Sequence, residues 1–192
     1  TPSAPSRSIG NRSISVSWNA PGNGYSGITN YQIAVRTSTN NSSWSGWTTL
    51  STRTSRSYTH SGLSAGTYYQ YRVRAQNRHG WSSWSSPSSS ARAATTPSTP
   101  SVSYSRGDRS IRISWSANSN GSSITSYQVQ RRVHNGSTWG SWSTVVSSTS
   151  STSYNNTGLS TGTLYQYRVR AQNAIGYSSY GTSSSIRVIT TP

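Results

Sequence analysis

The sequence contains no cysteine and only one acidic side chain, Asp108. Without cysteine there are no disulfides, zinc–thiolate sites or thiol nucleophiles. A single carboxylate cannot form the carboxylate pair of a glycosidase, and a Ser–His–acid triad would have to use Asp108 itself. His60, His79 and His134 do not have the spacing of metal ligands. The sequence therefore predicts no catalytic residue, no metal site and no cofactor.

Aliphatic residues are also scarce, because leucine, isoleucine and valine together number 24 of 192, and phenylalanine is absent. Combined with a net charge of +16, this composition is typical of disordered chains. The opposing feature is the presence of 8 tryptophans and 13 tyrosines, each able to bury about 150–250 Å². No apolar run is long enough to span a membrane, so we expect no membrane insertion.

All 17 basic residues are arginine. Such an imbalance favours polyanionic partners. The alternative is that the arginines alternate with apolar residues on strands and form the solvated face. They are spread over both halves of the chain, whereas nucleic-acid binders cluster their basic residues on one element. The charge thus allows a nucleic-acid partner but does not favour one.

The chain repeats itself after about 96 residues. "GLSAGTYYQYRVRAQNRHGWSSWS" at 62–85 returns as "GLSTGTLYQYRVRAQNAIGYSSYG" at 158–181, and the opening "TPSAPS" returns as "TPSTPS" at 96–101. Self-similarity of this kind marks repeated structural units. The sequence therefore predicts two domains, 1–95 and 96–192.

Within each repeat, apolar and polar residues alternate. Ile14, Val16 and Trp18 are separated by single serines, and a period of two is typical of antiparallel strands with one buried face. Turn-rich segments at 20–27 and 117–123 separate the strands, as in a sandwich. No segment has a helical period. The predicted fold class is all-β.

These features together resemble the fibronectin type III family over essentially the whole chain, twice. The matching elements are the opening prolines, the strands ending in Trp18 and Trp115, and "YRVRAQN" in each half. The resemblance implies two tandem immunoglobulin-like antiparallel β-sandwiches. It also implies a tyrosine corner in each, whose hydroxyl bonds back to nearby backbone. The corner residues would be Leu63 with Tyr69 and Leu159 with Tyr165.

The segment "WSSWS" at 81–85 resembles the Trp-Ser-x-Trp-Ser box of class I cytokine receptors, in which tryptophans interleave with arginines. Residues two apart on a strand face the same side, as such interleaving requires. The receptors, however, carry cysteine bridges and place the box in their second domain. Here it lies in the first and has an aromatic counterpart in the second. We therefore predict a structural ladder in each domain, with a ligand site as the alternative. Its members would be Arg72, Arg74, Trp81 and Trp84, and Arg168, Arg170, Tyr177 and Tyr180.

A second pair of tryptophans occurs in each repeat, Trp44 with Trp47 and Trp139 with Trp142. Exposed tryptophans are common platforms for sugar stacking, which makes these four candidate surface-binding residues. The alternative is that at least one of each pair covers the sandwich, because small domains need the buried area.

The tripeptide Arg106-Gly107-Asp108 is the one displayed by integrin ligands. The repeat aligns Gly107-Asp108 with Gly10-Asn11, and both dipeptides favour turns that use positive φ. We therefore interpret it as a turn between the first two strands of its domain.

The predicted function is a non-catalytic structural or adhesion module of a bacteriophage tail or decoration protein, or of a bacterial surface assembly. One alternative is a spacer or auxiliary glycan-binding module of a secreted bacterial polysaccharide-degrading enzyme. Another is an adhesion or cytokine-receptor-like ectodomain, which the missing cysteines disfavour. The expected partners are protein subunits of a surface assembly or an anionic cell-surface glycan. The expected location is extracellular, at a cell or virion surface.

Overall fold

The computed structural model describes residues 1–22 and 26–190. Residues 23–25, at the centre of the predicted turn 20–27, lie outside the described residues. The chain divides into two compact units, Thr1–Thr95 and Thr96–Pro192. Every named strand pairing is antiparallel, and the described residues contain no helix. The prediction of two all-β sandwiches is confirmed.

The first domain has two sheets. The three-stranded sheet has the order β1-β2-β5, and the larger sheet has the order β4-β3-β6-β7, with β8 also paired to β6. The strands are β1 (Ser6–Gly10), β2 (Ser13–Ser17), β3 (Asn30–Ser38), β4 (Thr48–Arg53), β5 (Ser57–Ser61), β6 (Tyr68–Asn77), β7 (Gly80–Trp81) and β8 (Ala91–Arg92).

The second domain repeats this arrangement. Its three-stranded sheet has the order β13-β10-β9, and its larger sheet has the order β12-β11-β14-β15, with β16 also paired to β14. The strands are β9 (Ser101–Gly107), β10 (Ser110–Ser116), β11 (Ser126–Val133), β12 (Ser143–Thr149), β13 (Ser153–Asn156), β14 (Leu164–Gln172), β15 (Gly181–Thr182) and β16 (Ile186–Arg187).

The core of each domain lies between its two sheets and relies on aromatic residues. Tyr71 of β6 and Tyr167 of β14 are fully buried at equivalent positions. Trp18 meets Tyr31 edge-on, with ring centroids 5.7 Å apart. This geometry adds to the hydrophobic gain from burial. Because side chains alternate along a strand, burial of Tyr71 and Val73 turns Arg72 towards the outer face of the larger sheet.

The tyrosine corner of the first domain is formed by Leu63 and Tyr69, which are both buried. The backbone N–H of Ser64 donates to the Tyr69 hydroxyl at 3.3 Å. Leu159 and Tyr165 are buried at the equivalent positions of the second domain.

Arg106-Gly107-Asp108 lies at a two-residue turn between β9 and β10, in which Gly107 pairs with Ser110. The residue of this turn that takes a positive φ is Arg109, with φ 43°. A side chain added at 107 would require the Ser110 hydroxyl to rotate away. A Cβ atom there would lie 2.7 Å from the Ser110 hydroxyl oxygen.

Candidate functional site

Seven side chains form a continuous row on the outer face of the larger sheet of the first domain. In this row, guanidiniums and indoles alternate, and each guanidinium carbon lies 4.4–5.1 Å from two ring centroids. We call the row the first ladder. Its members, in spatial order, are Trp44, Arg36, Trp47, Arg72, Trp84, Arg74 and Trp81.

The strand order explains how residues distant in sequence meet in the first ladder. Arg36 projects from β3, and both Arg72 and Arg74 project from the neighbouring strand β6. Trp47 directly precedes β4, and Trp81 belongs to β7. The ladder thus gathers side chains from across the sheet and runs along β6, from the level of Gln70, which is opposite Arg36, to that of Gln76, which is opposite Trp81.

The second domain has a row with the same composition, except that tyrosines replace two tryptophans. Its guanidinium carbons lie 3.9–5.1 Å from two ring centroids each. We call this row the second ladder. Its members, in spatial order, are Trp139, Arg132, Trp142, Arg168, Tyr180, Arg170 and Tyr177.

The structure therefore brings together two sets of residues that the sequence analysis treated separately. The tryptophan pairs predicted as candidate surface-binding residues lie in the same rows as the arginines and aromatics of the predicted ladders. The contacts of Trp47 with Arg72 and of Trp142 with Arg168 join the sets. Arg36 and Arg132, which the sequence analysis missed, each lie between the two tryptophans of one pair. Their signal was present, since they occur at the 96-residue offset, on strands whose alternation turns them outward.

Arg36 and Arg132 are each held by a glutamine on the neighbouring strand. Arg36 pairs in register with Gln70 of β6 and donates two hydrogen bonds to its Oε1 atom, at 2.9 Å from Nε and 2.7 Å from Nη2. Arg132 donates in the same way to Gln166. Such paired bonds to one acceptor fix the plane of the guanidinium between its two rings.

The inner rings of the first ladder have guanidiniums as neighbours on both sides. Arg36 lies 4.8 Å and Arg72 4.4 Å from the Trp47 centroid. Because two like charges over one ring face would repel each other, we infer that they occupy opposite faces. A sugar ring needs such a face in order to stack. The geometry at Trp47 thus favours a structural role over the sugar platform considered above.

Serines in and after the box at 81–85 satisfy the hydrogen-bonding groups of the β6 backbone. Every third residue after β7 donates its N–H to a β6 carbonyl, and its hydroxyl accepts the N–H of the same β6 residue. Three residues of this segment therefore match two residues of the strand, so the segment coils. The pairs are Ser82 with Ala75, Ser85 with Val73, and Ser88 with Tyr71.

The second domain has one exception to this serine pattern. Ser178 and Ser183 pair with Ala171 and Tyr167 in the same way, but Gly181 stands where the first domain has Ser85. A Cβ atom on Gly181 would lie 1.8 Å from the carbonyl oxygen of Pro100. The close approach of this backbone excludes a side chain at 181.

The arginines of the first ladder are close enough to affect one another. Burial is the largest cause that lowers the pKa of Arg72, followed by the charges of Arg36 and Arg74. An arginine pKa starts so far above neutrality that the side chain stays charged. The ladder thus carries three positive charges at neutral pH.

A different pairing distinguishes the two cores. In the first domain, His60 Nδ1 lies 3.1 Å from the hydroxyl of the buried Tyr71. In the second, Asn156 Nδ2 donates to the Tyr167 hydroxyl at 2.8 Å. Burial lowers the pKa of His60 and raises the pKa of Tyr167 to about 12. The first domain thus has a titratable group where the second has none.

The described ranges, 1–22 and 26–190, contain neither a candidate metal cluster nor a candidate membrane helix. No group of three or more histidine, cysteine, aspartate or glutamate side chains there could hold a metal ion. No helix in these ranges is long and apolar enough to cross a membrane.

The family comparison matches the chain twice. The model of the fibronectin type III domain covers residues 2–91 and 95–187. The chain belongs to the fibronectin type III family. Domains of this family are in general non-catalytic modules.

Two similar proteins extend this result. Exoglucanase B of Cellulomonas fimi is 30% identical over 188 residues, which cover 91% of this fibronectin type III chain and 15% of that protein. The crystal structure of the FN1-FN3 domains of chicken CNTN1 matches with a TM-score of 0.49 and 20% identity, covering 98% of this chain and 66% of that one. This chain therefore spans only a small part of the exoglucanase.

Proposed function

We propose that the two domains serve as a non-catalytic accessory module of an extracellular bacterial protein that degrades glycans. The observation that carries this proposal is the similarity to Exoglucanase B, which extends over 188 residues and so includes both domains. Because a match of this length spans both domains, the similarity extends to their tandem order and is not limited to the fold of one domain.

The ladders support an extracellular module physically. Each one links the strands of its larger sheet through six contacts between guanidiniums and rings. A contact of this kind contributes about 0.5–2 kcal/mol, depending on its burial. A small extracellular domain without disulfides needs such a substitute, because its core is limited in size.

The structural module of a phage tail or bacterial surface assembly stays a prediction. It shares the missing cysteine and the tandem domains with the accessory module, but it requires different neighbouring domains in the same reading frame. The ectodomain alternative requires a membrane-spanning segment there.

The reading frame of the gene therefore tests the proposal. We expect it to encode a catalytic domain with the paired carboxylates of a glycosidase. A tail or decoration domain, or a membrane-spanning segment, would contradict the accessory role. As a second test, the 192-residue chain should release no reducing sugar from cellulose. Release that the Asp108→Asn variant loses would show catalysis by these domains and overturn the proposal, since Asp108 is the only carboxylate side chain.

A further inference from the structure

We propose that the three guanidiniums of each ladder form a binding strip for a linear acidic polysaccharide. Its carboxylate or sulfate groups would accept hydrogen bonds from the outward N–H groups of the arginines. The choice of a glycan as partner rests on the proposed function, whereas the site itself follows from charge and geometry.

The first observation is that the charges of each ladder are uncompensated. Arg36 and Arg72 both lie within 4.8 Å of the Trp47 centroid, so their separation is at most twice that distance. This is about one Debye length at physiological salt, so screening removes only part of their repulsion. With one acidic residue against 17 arginines, the chain cannot neutralise six ladder charges. The counter-charge must come from outside the chain.

The second observation is that the arginines retain unused donors. In Arg72, the Nε atom is buried and has no hydrogen-bond partner, whereas neither Nη atom is buried in this way. They therefore reach solvent. Arg74 uses its Nε atom to bind Gln32, and Arg168 uses its Nε atom to bind Gln130. The outer edges that remain have the planar fork that suits carboxylate and sulfate groups.

The third observation is that the aromatic rings keep this row in order. Each inner ring separates two cations and each terminal ring covers one, so every guanidinium has a ring on both faces and its N–H edges point away from the stack. Side chains held in this way lose little conformational entropy when they bind a ligand. The row then offers positive charges at regular intervals, which suits a polymer with regularly spaced anionic groups.

The covered rings favour a polysaccharide over a single-stranded nucleic acid. Proteins that bind single strands stack the bases on exposed aromatic faces. In the first ladder, Trp47 and Trp84 each lie between two guanidiniums. Bases would have to displace the arginines before stacking there.

The test measures binding of the full chain to heparin and polygalacturonate by calorimetry, with dextran as the neutral control. We expect binding to both acidic polymers, weakening steeply between about 50 mM and 200 mM salt, and none to dextran. A tighter complex with single-stranded DNA than with either acidic polymer would overturn the choice of a polysaccharide.

Two double variants with equal net charge locate the site. Arg74→Gln with Arg170→Gln removes one cation from each ladder. Arg56→Gln with Arg106→Gln removes one exposed cation from each domain, away from the ladders. We expect the ladder variant to lose about tenfold in affinity and the control less than about threefold. Equal losses would show that net charge alone binds the polymer and would overturn the site.

If the ladder variant fails to fold, NMR of the wild-type chain still tests whether the ladder is the binding site. During titration with heparin, we expect the indole N–H resonances of Trp47 and Trp84 to shift while those of the buried Trp18 and Trp115 do not. Unshifted ladder resonances would overturn the site. A catalytic domain in frame, together with no binding to acidic polymers, would leave the accessory role intact and reject only this ligand.

Discussion

The guanidinium carbon of Arg72 lies 4.4 Å from the ring centroid of Trp47. Arg72 belongs to β6, and Trp47 directly precedes β4, which lies on the far side of β3. The contact therefore reaches across an intervening strand, where no backbone hydrogen bond can act. The second domain repeats it between Arg168 and Trp142, at 4.5 Å. A box that resembles a receptor signature thus forms part of a row that ties the whole sheet together.

The first prediction concerns the serine whose hydroxyl replaces a strand partner. Ser85→Ala leaves the buried N–H of Val73 without the acceptor it has at 3.0 Å. An orphaned buried donor costs about 1–3 kcal/mol, so the free energy of unfolding of the first domain, measured with urea, should fall by that amount. Ser86→Ala is the control, because Ser86 is exposed. Equal stabilities of the two variants would contradict the assigned role.

The second prediction concerns Gly181. Gly181→Ala forces the Pro100 backbone to move, since the new Cβ atom would lie 1.8 Å from its carbonyl oxygen. We expect the second domain to lose about 1–3 kcal/mol. The control is Gly46→Ala, where no atom lies within 4 Å of the added Cβ. Thermal unfolding followed by circular dichroism compares the two, and an unchanged midpoint for Gly181→Ala would refute the contact.

The third prediction uses the difference between His60 and Asn156. Burial lowers the pKa of His60 below its ordinary value of 6.5, so the folded first domain binds fewer protons than the unfolded chain. Its stability is therefore complete above pH 6.5 and decreases as the pH falls through 6.5 towards the folded pKa. The second domain has no such dependence, because Asn156 does not titrate.

Hydrogen exchange at pH 7.5 and pH 5 measures this effect for β6 and β14 separately. His60→Asn copies the second domain and should abolish the acid sensitivity of β6. Among the described residues, the ring neighbours of His60 are Tyr58, Tyr69 and Tyr71. If the His60→Asn variant retains the acid sensitivity, another group is responsible.

Much of the fold could be predicted from the sequence because it depends on the alternation of apolar and polar residues along each strand and on the internal repeat. Alternation along β6 determines that Tyr71 is buried and Arg72 faces outward, and the 96-residue repeat applies the same result to Tyr167 and Arg168. Residues two apart on one strand, such as Arg72 and Arg74, must share a face whatever their partners are.

The rest depends on pairings between strands, which the sequence does not state. Arg72 of β6 meets Trp47 only because β3 alone separates β6 from β4. Neither this contact nor the coverage of the Trp47 ring could be derived without that order. Likewise, the glycine at 181 reflects the approach of Pro100, a residue far away in the sequence.

The central claim is that contacts between guanidiniums and rings hold each larger sheet together. A double-mutant cycle of Arg72→Ala and Trp84→Ala tests it most directly, because their centres lie 4.5 Å apart. The free energy of unfolding of the first domain is measured from the slowest-exchanging amides of β6. We predict that each single variant is destabilised and that the coupling energy is about 0.5–2 kcal/mol. A coupling energy of zero, with stability unchanged in Arg72→Ala, would contradict the account.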